Sequence, residues 1–155
     1  MTTDLYERDT HAWARDQAEA LRRLAAHRPE LTAELDLPHL AMEIEDMGKS
    51  LARELVSRLA ILLAHLAKWH WQPGERSRSW LTTIGHQRDE IAALLEDNPS
   101  LRPNLDDAMA KAWSRARRQA ARETGIALTV FPTACPFTLD DVLADAWLPD
   151  TTAGS

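Results

Sequence analysis

The feature that most constrains the fold is one apolar stripe through residues 37–71. Apolar side chains recur there every three or four residues, which is the spacing of one face of an α-helix. Asp36 and Pro38 suit the start of this helix, and Pro73-Gly74 ends it. Unbroken, the helix is roughly 50 Å long, and Gly48 is the place where it can kink. The stripe consists of Leu40, Ile44, Met47, Leu51, Leu55, Leu59, Leu62, Leu66 and Trp69.

Helical periodicity and caps predict three further helices, at about residues 9–28, 77–98 and 101–125. In the first of them we expect an inward face of Trp13, Ala20, Leu21 and Leu24. Beyond Gly125, Pro132 and Pro136 predict extended chain, and Thr138 predicts the cap of a short last helix. The expected fold class is all-α, a bundle of four main helices with an extended C-terminal arm and a short terminal helix. We expect a single helical domain at 1–149 and a flexible tail at 150–155.

Composition excludes several classes of protein. A formal net charge of −6 argues against a protein that coats nucleic acid non-specifically. The sequence has no apolar run of about 18 residues, so we expect no membrane span. It shows no secretory signal, and its one cysteine, Cys135, has no internal disulfide partner, which together favour a reducing cytoplasm.

Several strings of residues resemble a bacterial family of helical proteins, the domain of unknown function numbered twenty-nine. The resemblance covers nearly the whole chain but brings no activity, cofactor or substrate with it. The strings are Leu5-Tyr6-Glu7-Arg8-Asp9, Glu43-Ile44-Glu45-Asp46-Met47-Gly48, His65-Leu66-Ala67-Lys68-Trp69, Arg76-Ser77-Arg78-Ser79-Trp80, Asn98-Pro99-Ser100-Leu101, Glu123-Thr124-Gly125 and Cys135-Pro136-Phe137-Thr138.

Arg58 and His65 are the candidates for catalysis, because the pair matches the Arg-to-His spacing of helical ribonucleases. There an arginine can hold a phosphate while a histidine moves protons. About two such matches are expected by chance in this sequence, so a structural network around Arg58 and His65 is the favoured alternative. Glu43, Glu54 and His65 share one side of the long helix but lie about 16 Å apart in turn, too far for a shared metal. We expect no cofactor and no metal.

Lys68, Arg76, Arg78 and Ser79 are candidates for anion binding, since three of them surround the start of the third helix. The favoured alternative is that the arginines pair with Glu43, Glu45 or Asp46 and fix the register of two helices.

Helix four carries the most basic stretch of the sequence. Taken as a set, its five cations spread around more than half of the helix, which predicts a solvated face; nucleic acid or an acidic protein partner is the alternative. They are Lys111, Arg115, Arg117, Arg118 and Arg122. Trp71 and Trp80 are the candidates for an interaction surface, because tryptophan is frequent at binding hot spots.

These observations favour a non-enzymatic helical interaction or regulatory module over an enzyme. The expected partner is a protein or a second copy of the chain, since a helix of about 50 Å is long for a compact domain of this size. The alternative is a nucleic-acid-binding protein or a metal-independent ribonuclease, resembling a toxin–antitoxin component, that uses Arg58 and His65.

Overall fold

The computed structural model describes residues 2–150 of the chain, with side chains from residue 4 onward. Within this range it is all-α and has four long helices, as predicted, and no strand. The α-helices are α1 (Thr2–Arg8), α2 (Thr10–His27), α3 (Leu37–Trp71), α4 (Arg78–Asp97), α5 (Leu105–Thr124) and α6 (Leu139–Leu143). Short 3₁₀ turns lie at Pro29–Ala33, Pro73–Glu75, Pro99–Asn104 and Leu128–Val130.

Two compact units make up the fold. The first contains residues 1–54 and 95–102, and the second contains residues 55–94 and 103–155. Helix α3 supplies residues to both. The predicted division into a helical domain at 1–149 and a tail at 150–155 stays a prediction, and residues 151–155 of that tail lie outside the described residues.

The apolar stripe of α3 is the core of the second unit. Leu55, Leu59, Leu62 and Leu66 are at most 2% exposed, as the periodicity predicted. Burial also extends beyond this stripe, since Ala60, Leu63, Ala64 and Ala67 are buried as well. A helix with so wide an apolar surface has to be covered on more than one side.

In the first unit the buried face of α3 differs from the predicted stripe. Leu40 and Met47 are 42% and 45% exposed, while Leu37, Ala41 and Gly48 are buried. α3 continues through Gly48 without a break. The Cα of Gly48 faces α2 so closely that an added Cβ would lie 3.3 Å from the Cβ of Ala14.

This close approach also explains why the predicted face of α2 was only partly correct, with three of its four residues half-buried. The buried residues of α2 are Ala14 and Ala18, whereas Leu24 is 38% exposed. Alanine against glycine lets two helices pack tightly, so the larger side chains are displaced to the flanks of the contact. The pattern of large apolar residues alone did not contain this information.

A buried aspartate ties the start of α2 to the turn after α4 within the first unit. Asp9 accepts hydrogen bonds from the backbone N–H of Ala12 at 2.9 Å and of Ser100 at 2.7 Å, and from the Ser100 hydroxyl at 2.7 Å. Burial alone would raise the pKa of Asp9, but these hydrogen bonds lower it. Since the Ser100 hydroxyl donates to Asp9, His11 Nδ1 is the donor in its 2.6 Å contact with Ser100 Oγ.

The C-terminal arm of the second unit is held by a buried arginine. Arg88, 5% exposed, donates to the carbonyl oxygens of Val142, Asp145 and Trp147 at 2.9, 3.1 and 2.7 Å. Thr138 caps α6 as predicted, accepting from the N–H of Asp141 at 3.2 Å, although the helix already ends at Leu143. Among the described helices, none combines the length and hydropathy that crossing a membrane requires.

We expect Arg88→Met to destabilise the protein by about 3 kcal/mol, because it leaves three carbonyl oxygens without their donor. Arg78→Met is the matched control, since Arg78 is exposed at the start of the same helix. It should change the free energy of unfolding by less than about 0.5 kcal/mol. Urea denaturation followed by tryptophan fluorescence measures both, and equal stabilities of the two variants would contradict the role of Arg88.

Candidate functional site

Lys68, predicted to bind an anion, is committed to an ion pair inside the second unit. Its Nζ lies 2.9 Å from Glu123 Oε2 on α5 and 5.2 Å from the ring centroid of Trp80 on α4. Partial burial would raise the pKa of Glu123, but hydrogen bonds from Lys68 and Gln119 lower it, so the carboxylate stays ionised. Lys68 and the predicted interaction residue Trp80 therefore contact each other.

Arg76 is also engaged internally. Its Nε donates to the carbonyl oxygen of Trp69 at 3.0 Å, and its guanidinium stacks on the Trp69 ring at 4.7 Å. The start of α4 is capped by Ser77, whose hydroxyl accepts from the N–H of Trp80 at 3.2 Å. Arg78 and Ser79 are exposed at this helix start. The four predicted anion-binding residues are therefore not gathered into one site.

The alternative pairing of Arg76 with the acidic residues of α3 was wrong for Glu45. That carboxylate binds Arg22 at 2.6 Å and Lys49 at 2.9 Å instead. Sequence spacing indicated that opposite charges on two helices would meet, but it could not indicate that a cation beside Glu45 comes from α2.

Arg58 and His65 point to different partners. Arg58 lies 3.3 Å from Gln87 Oε1 and 3.6 Å from Glu90 Oε2, both on α4. His65 is half-buried, and its Nδ1 donates to the carbonyl oxygen of Ile61 at 2.8 Å. Burial lowers the pKa of His65, against the hydrogen bond to Ile61, which raises it. The two side chains show no shared polar contact that would place one phosphate between them.

Trp71, the second predicted interaction residue, packs among other aromatic rings of the second unit. Its ring centroid lies 5.0 Å from that of Phe131 and 6.4 Å from that of Phe137. The ring is half-buried rather than free on a surface. In the described part of the chain, no group of three or more histidine, cysteine, aspartate or glutamate side chains is arranged to hold a metal ion.

The structure separates the five basic residues of α5 into two groups. Arg117 turns toward the C-terminal segment, where it donates to the carbonyl oxygens of Phe131 at 2.9 Å and Leu128 at 3.3 Å. At 100° per residue, Arg115, Arg118 and Arg122 fall within about 60° of one another. The predicted spread of the cations around the helix is therefore due to Arg117. The i, i+3, i+7 spacing of the other three arginines predicts that they share one face, and the sequence analysis did not use it.

These three arginines line a cleft between α3 and α5, which we call the arginine cleft. Its volume is about 380 Å³, and it lies entirely within the second unit. The lining residues are Ser57, Ala60 and Ile61 from α3, with Arg115, Arg118, Gln119 and Arg122 from α5. The α3 wall is formed in part by the small side chains of Ser57 and Ala60, which leave space beneath the guanidinium groups.

Two of the guanidinium groups in the cleft are oriented by serines. Arg115 Nη1 lies 3.4 Å from Ser57 Oγ, and Arg118 Nη1 donates to Ser114 Oγ at 2.9 Å. Among the described residues, no carboxylate lies within 4.0 Å of Arg115, Arg118 or Arg122. Like charges three and four residues apart destabilise a helix by about 0.2–0.5 kcal/mol per pair. The cleft is thus a concentrated positive charge without a neutralising carboxylate in the part of the chain that the structure describes.

Comparison with known proteins gives a family and one structural relative. Residues 5–148 match the model of the family described as "Domain of unknown function DUF29". The fold is similar to the crystal structure of an alpha-helical protein of unknown function from Rhodospirillum rubrum, with a TM-score of 0.69 and 28% sequence identity. The match covers 96% of this chain and 94% of that one. No curated protein matches the sequence.

We expect Arg117→Gln and Arg118→Gln to change stability in opposite directions. Arg117→Gln removes the donor to two carbonyl oxygens and should destabilise the protein by about 1–2 kcal/mol. Arg118→Gln relieves like-charge repulsion and should stabilise it by a few tenths of a kcal/mol, roughly 0.2–0.5, at low ionic strength. Thermal and urea unfolding at low and high salt measure both. If Arg118→Gln destabilises as much as its neighbour, the positive charge of the cleft has partners after all.

We also expect His65 of α3 to lower the stability of the fold in acid. The pKa of folded His65 lies below its ordinary value of 6.5, so the unfolded chain binds more protons as the pH falls through that value. The resulting loss of stability is complete below the folded pKa. The free energy of unfolding of the wild type should therefore fall more steeply between about pH 6.5 and 5 than that of His65→Gln. Parallel pH curves for the two proteins would contradict this.

Proposed function

We propose that this chain, which belongs to the family of DUF29 domains, is a non-enzymatic interaction module that binds an anionic partner through its arginine cleft. The family and the structural relative are both described as of unknown function, so the proposal is argued from the site of this chain alone. The observation that carries it is the group of three arginines on one face of α5 without a carboxylate of the described chain to neutralise them.

An anion in the cleft would turn an unfavourable feature into a favourable one. Each guanidinium has five N–H donors in a planar fork, and the contacts of Arg115 with Ser57 and of Arg118 with Ser114 use one donor each. The remaining donors can form charge-assisted, bidentate hydrogen bonds with carboxylate or phosphate oxygens. The site offers charge and donors for binding.

The ribonuclease hypothesis receives no comparable support. It requires Arg58 to hold a phosphate near His65, whereas Arg58 contacts Gln87 and Glu90 of α4. His65 uses its Nδ1 hydrogen in a bond to its own helix, and burial favours its neutral form. We therefore propose that the arginine cleft binds an anion without cleaving it.

A second copy of the chain stays a further predicted partner. The supporting observation is in the first unit, where Leu40, Met42 and Met47 of α3 are 42–48% exposed. A bacterial, cytoplasmic setting also stays a proposal. It is supported by the bacterial origin of the structural relative and by the thiol of Cys135, whose pKa burial raises and which is therefore protonated at neutral pH.

Titration with inorganic phosphate, followed by NMR of the arginine Nε–Hε groups, tests the proposed function. We expect the signals of Arg115, Arg118 and Arg122 to shift together and to saturate, while that of exposed Arg23 on α2 stays in place. Shifts spread evenly over all exposed arginines would contradict a specific site. The same spectra address self-association, because line widths that do not change with protein concentration would argue against a second copy as partner.

A further inference from the structure

We infer that the ligand of the arginine cleft is a compact phosphate compound with at least two adjacent phosphate groups. This inference rests on the proposed function and specifies the chemistry of the ligand. It follows from the spacing of the guanidinium groups, from the volume of the cleft and from the residue types that are present and absent in its lining.

The spacing of the arginines fits more than one anionic group. Along the axis of α5, Arg115 and Arg118 are about 4.5 Å apart and Arg118 and Arg122 about 6 Å apart. A row of about 10 Å along the helix axis is longer than one phosphate group, so it leaves donors for a neighbouring phosphate. A chain of linked phosphates presents its oxygens along such a row.

The volume of the cleft favours a small ligand. At about 380 Å³ it lies near the lower end of the range for small-molecule sites, roughly 300–1,000 Å³. The row of arginines ends after two turns of α5, because the next basic residue toward the N-terminus, Lys111, pairs with Asp107 at 3.1 Å. The row of arginines without carboxylate partners is therefore short, and its charge is concentrated.

The lining of the cleft disfavours a nucleic-acid strand. Proteins that bind single strands stack the bases on aromatic side chains, and no aromatic residue lines this cleft. The formal net charge of −6 repels a long polyanion, whose other phosphates would extend over the rest of the protein. A compact ligand places all of its charge on the arginines.

The lining also favours phosphate over a carboxylate-bearing protein. The wall opposite the arginines consists of Ser57, Ala60 and Ile61, and Ser57 Oγ is oriented toward Arg115. An acidic peptide would bring a backbone whose N–H and C=O groups need partners, and this wall offers the single hydroxyl of Ser57 for them. A phosphate chain has oxygen acceptors on every side and needs donors alone.

Isothermal titration calorimetry at low ionic strength with three probes tests the inference. The probes are tripolyphosphate, a short uridine oligonucleotide and a hexaglutamate peptide. We expect tripolyphosphate to bind one site per chain and at least about tenfold more tightly than either of the others. Arg118→Gln should weaken tripolyphosphate by at least about tenfold, and Arg118→Lys should weaken it as well, because lysine keeps the charge but loses the bidentate fork. Arg23→Gln, which removes the same charge from an exposed position on α2, should leave the affinity unchanged. The equal weakening that would count against the cleft is judged against this variant.

The outcomes separate this inference from the proposed function. If the oligonucleotide or the peptide binds more tightly than tripolyphosphate and loses affinity in Arg118→Gln, the ligand class is wrong and the cleft remains an anion site. If Arg118→Gln and Arg23→Gln weaken every probe equally, or if no probe binds, the proposed function fails as well. Circular dichroism of each variant confirms that the comparison is made between folded proteins.

Discussion

The burial of most of the circumference of the second half of α3 is the constraint on which the second unit depends. Leu59, Leu63 and Leu66 are fully buried, and so are the alanines between them. Such a helix needs apolar cover on more than one side, whereas its face with Ser57 and Ile61 lines the arginine cleft. Helices α4 and α5 supply that cover, as the contacts of Lys68 with Trp80 and Glu123 show. The polar residues of the unit are consequently placed on the outer faces of the covering helices or in fixed pairs.

Two arginines of this unit donate hydrogen bonds to backbone carbonyl oxygens, in contrast to the arginines of the cleft. Between Gly125 and Thr138 the chain contains two prolines and makes no strand, so its carbonyl oxygens need donors from elsewhere. Arg117 donates to this segment and Arg88 to the arm that follows it. Both are thereby fixed by the fold. Arg115, Arg118 and Arg122 lie on another face of α5 and have no such carbonyl partners among the described residues. Their charge is therefore available for a ligand.

Local signals in the sequence predicted the elements, and contacts between distant residues decided what the sequence could not. The ends of α3, the buried leucines of its second half and the Thr138 cap depend on neighbours within a few positions, so periodicity and capping rules found them. The bond between Asp9 and Ser100 joins residues 91 positions apart, and the burial of Ala14 depends on Gly48 in another helix. No local rule contains such information. The shared face of the three cleft arginines was predictable from sequence, since the i, i+3, i+7 spacing is local. The contact of Arg117 with the carbonyl oxygen of Phe131, 14 positions away, was not.

The residue strings that mark the family also acquire a physical meaning, because they contact one another in pairs. The string that ends in Asp9 binds the string that contains Ser100, and the Lys68 string binds those of Trp80 and Glu123. Arg76, in the same string as Trp80, donates to the carbonyl oxygen of Trp69 in the Lys68 string. These contacts satisfy buried polar groups and fix how the helices pack, so the strings describe the scaffold of this chain. Arg115, Arg118 and Arg122 lie outside all of the strings. The resemblance therefore accounts for contacts that hold the fold, while the charge that points to a ligand lies on an exposed face of α5 outside these strings.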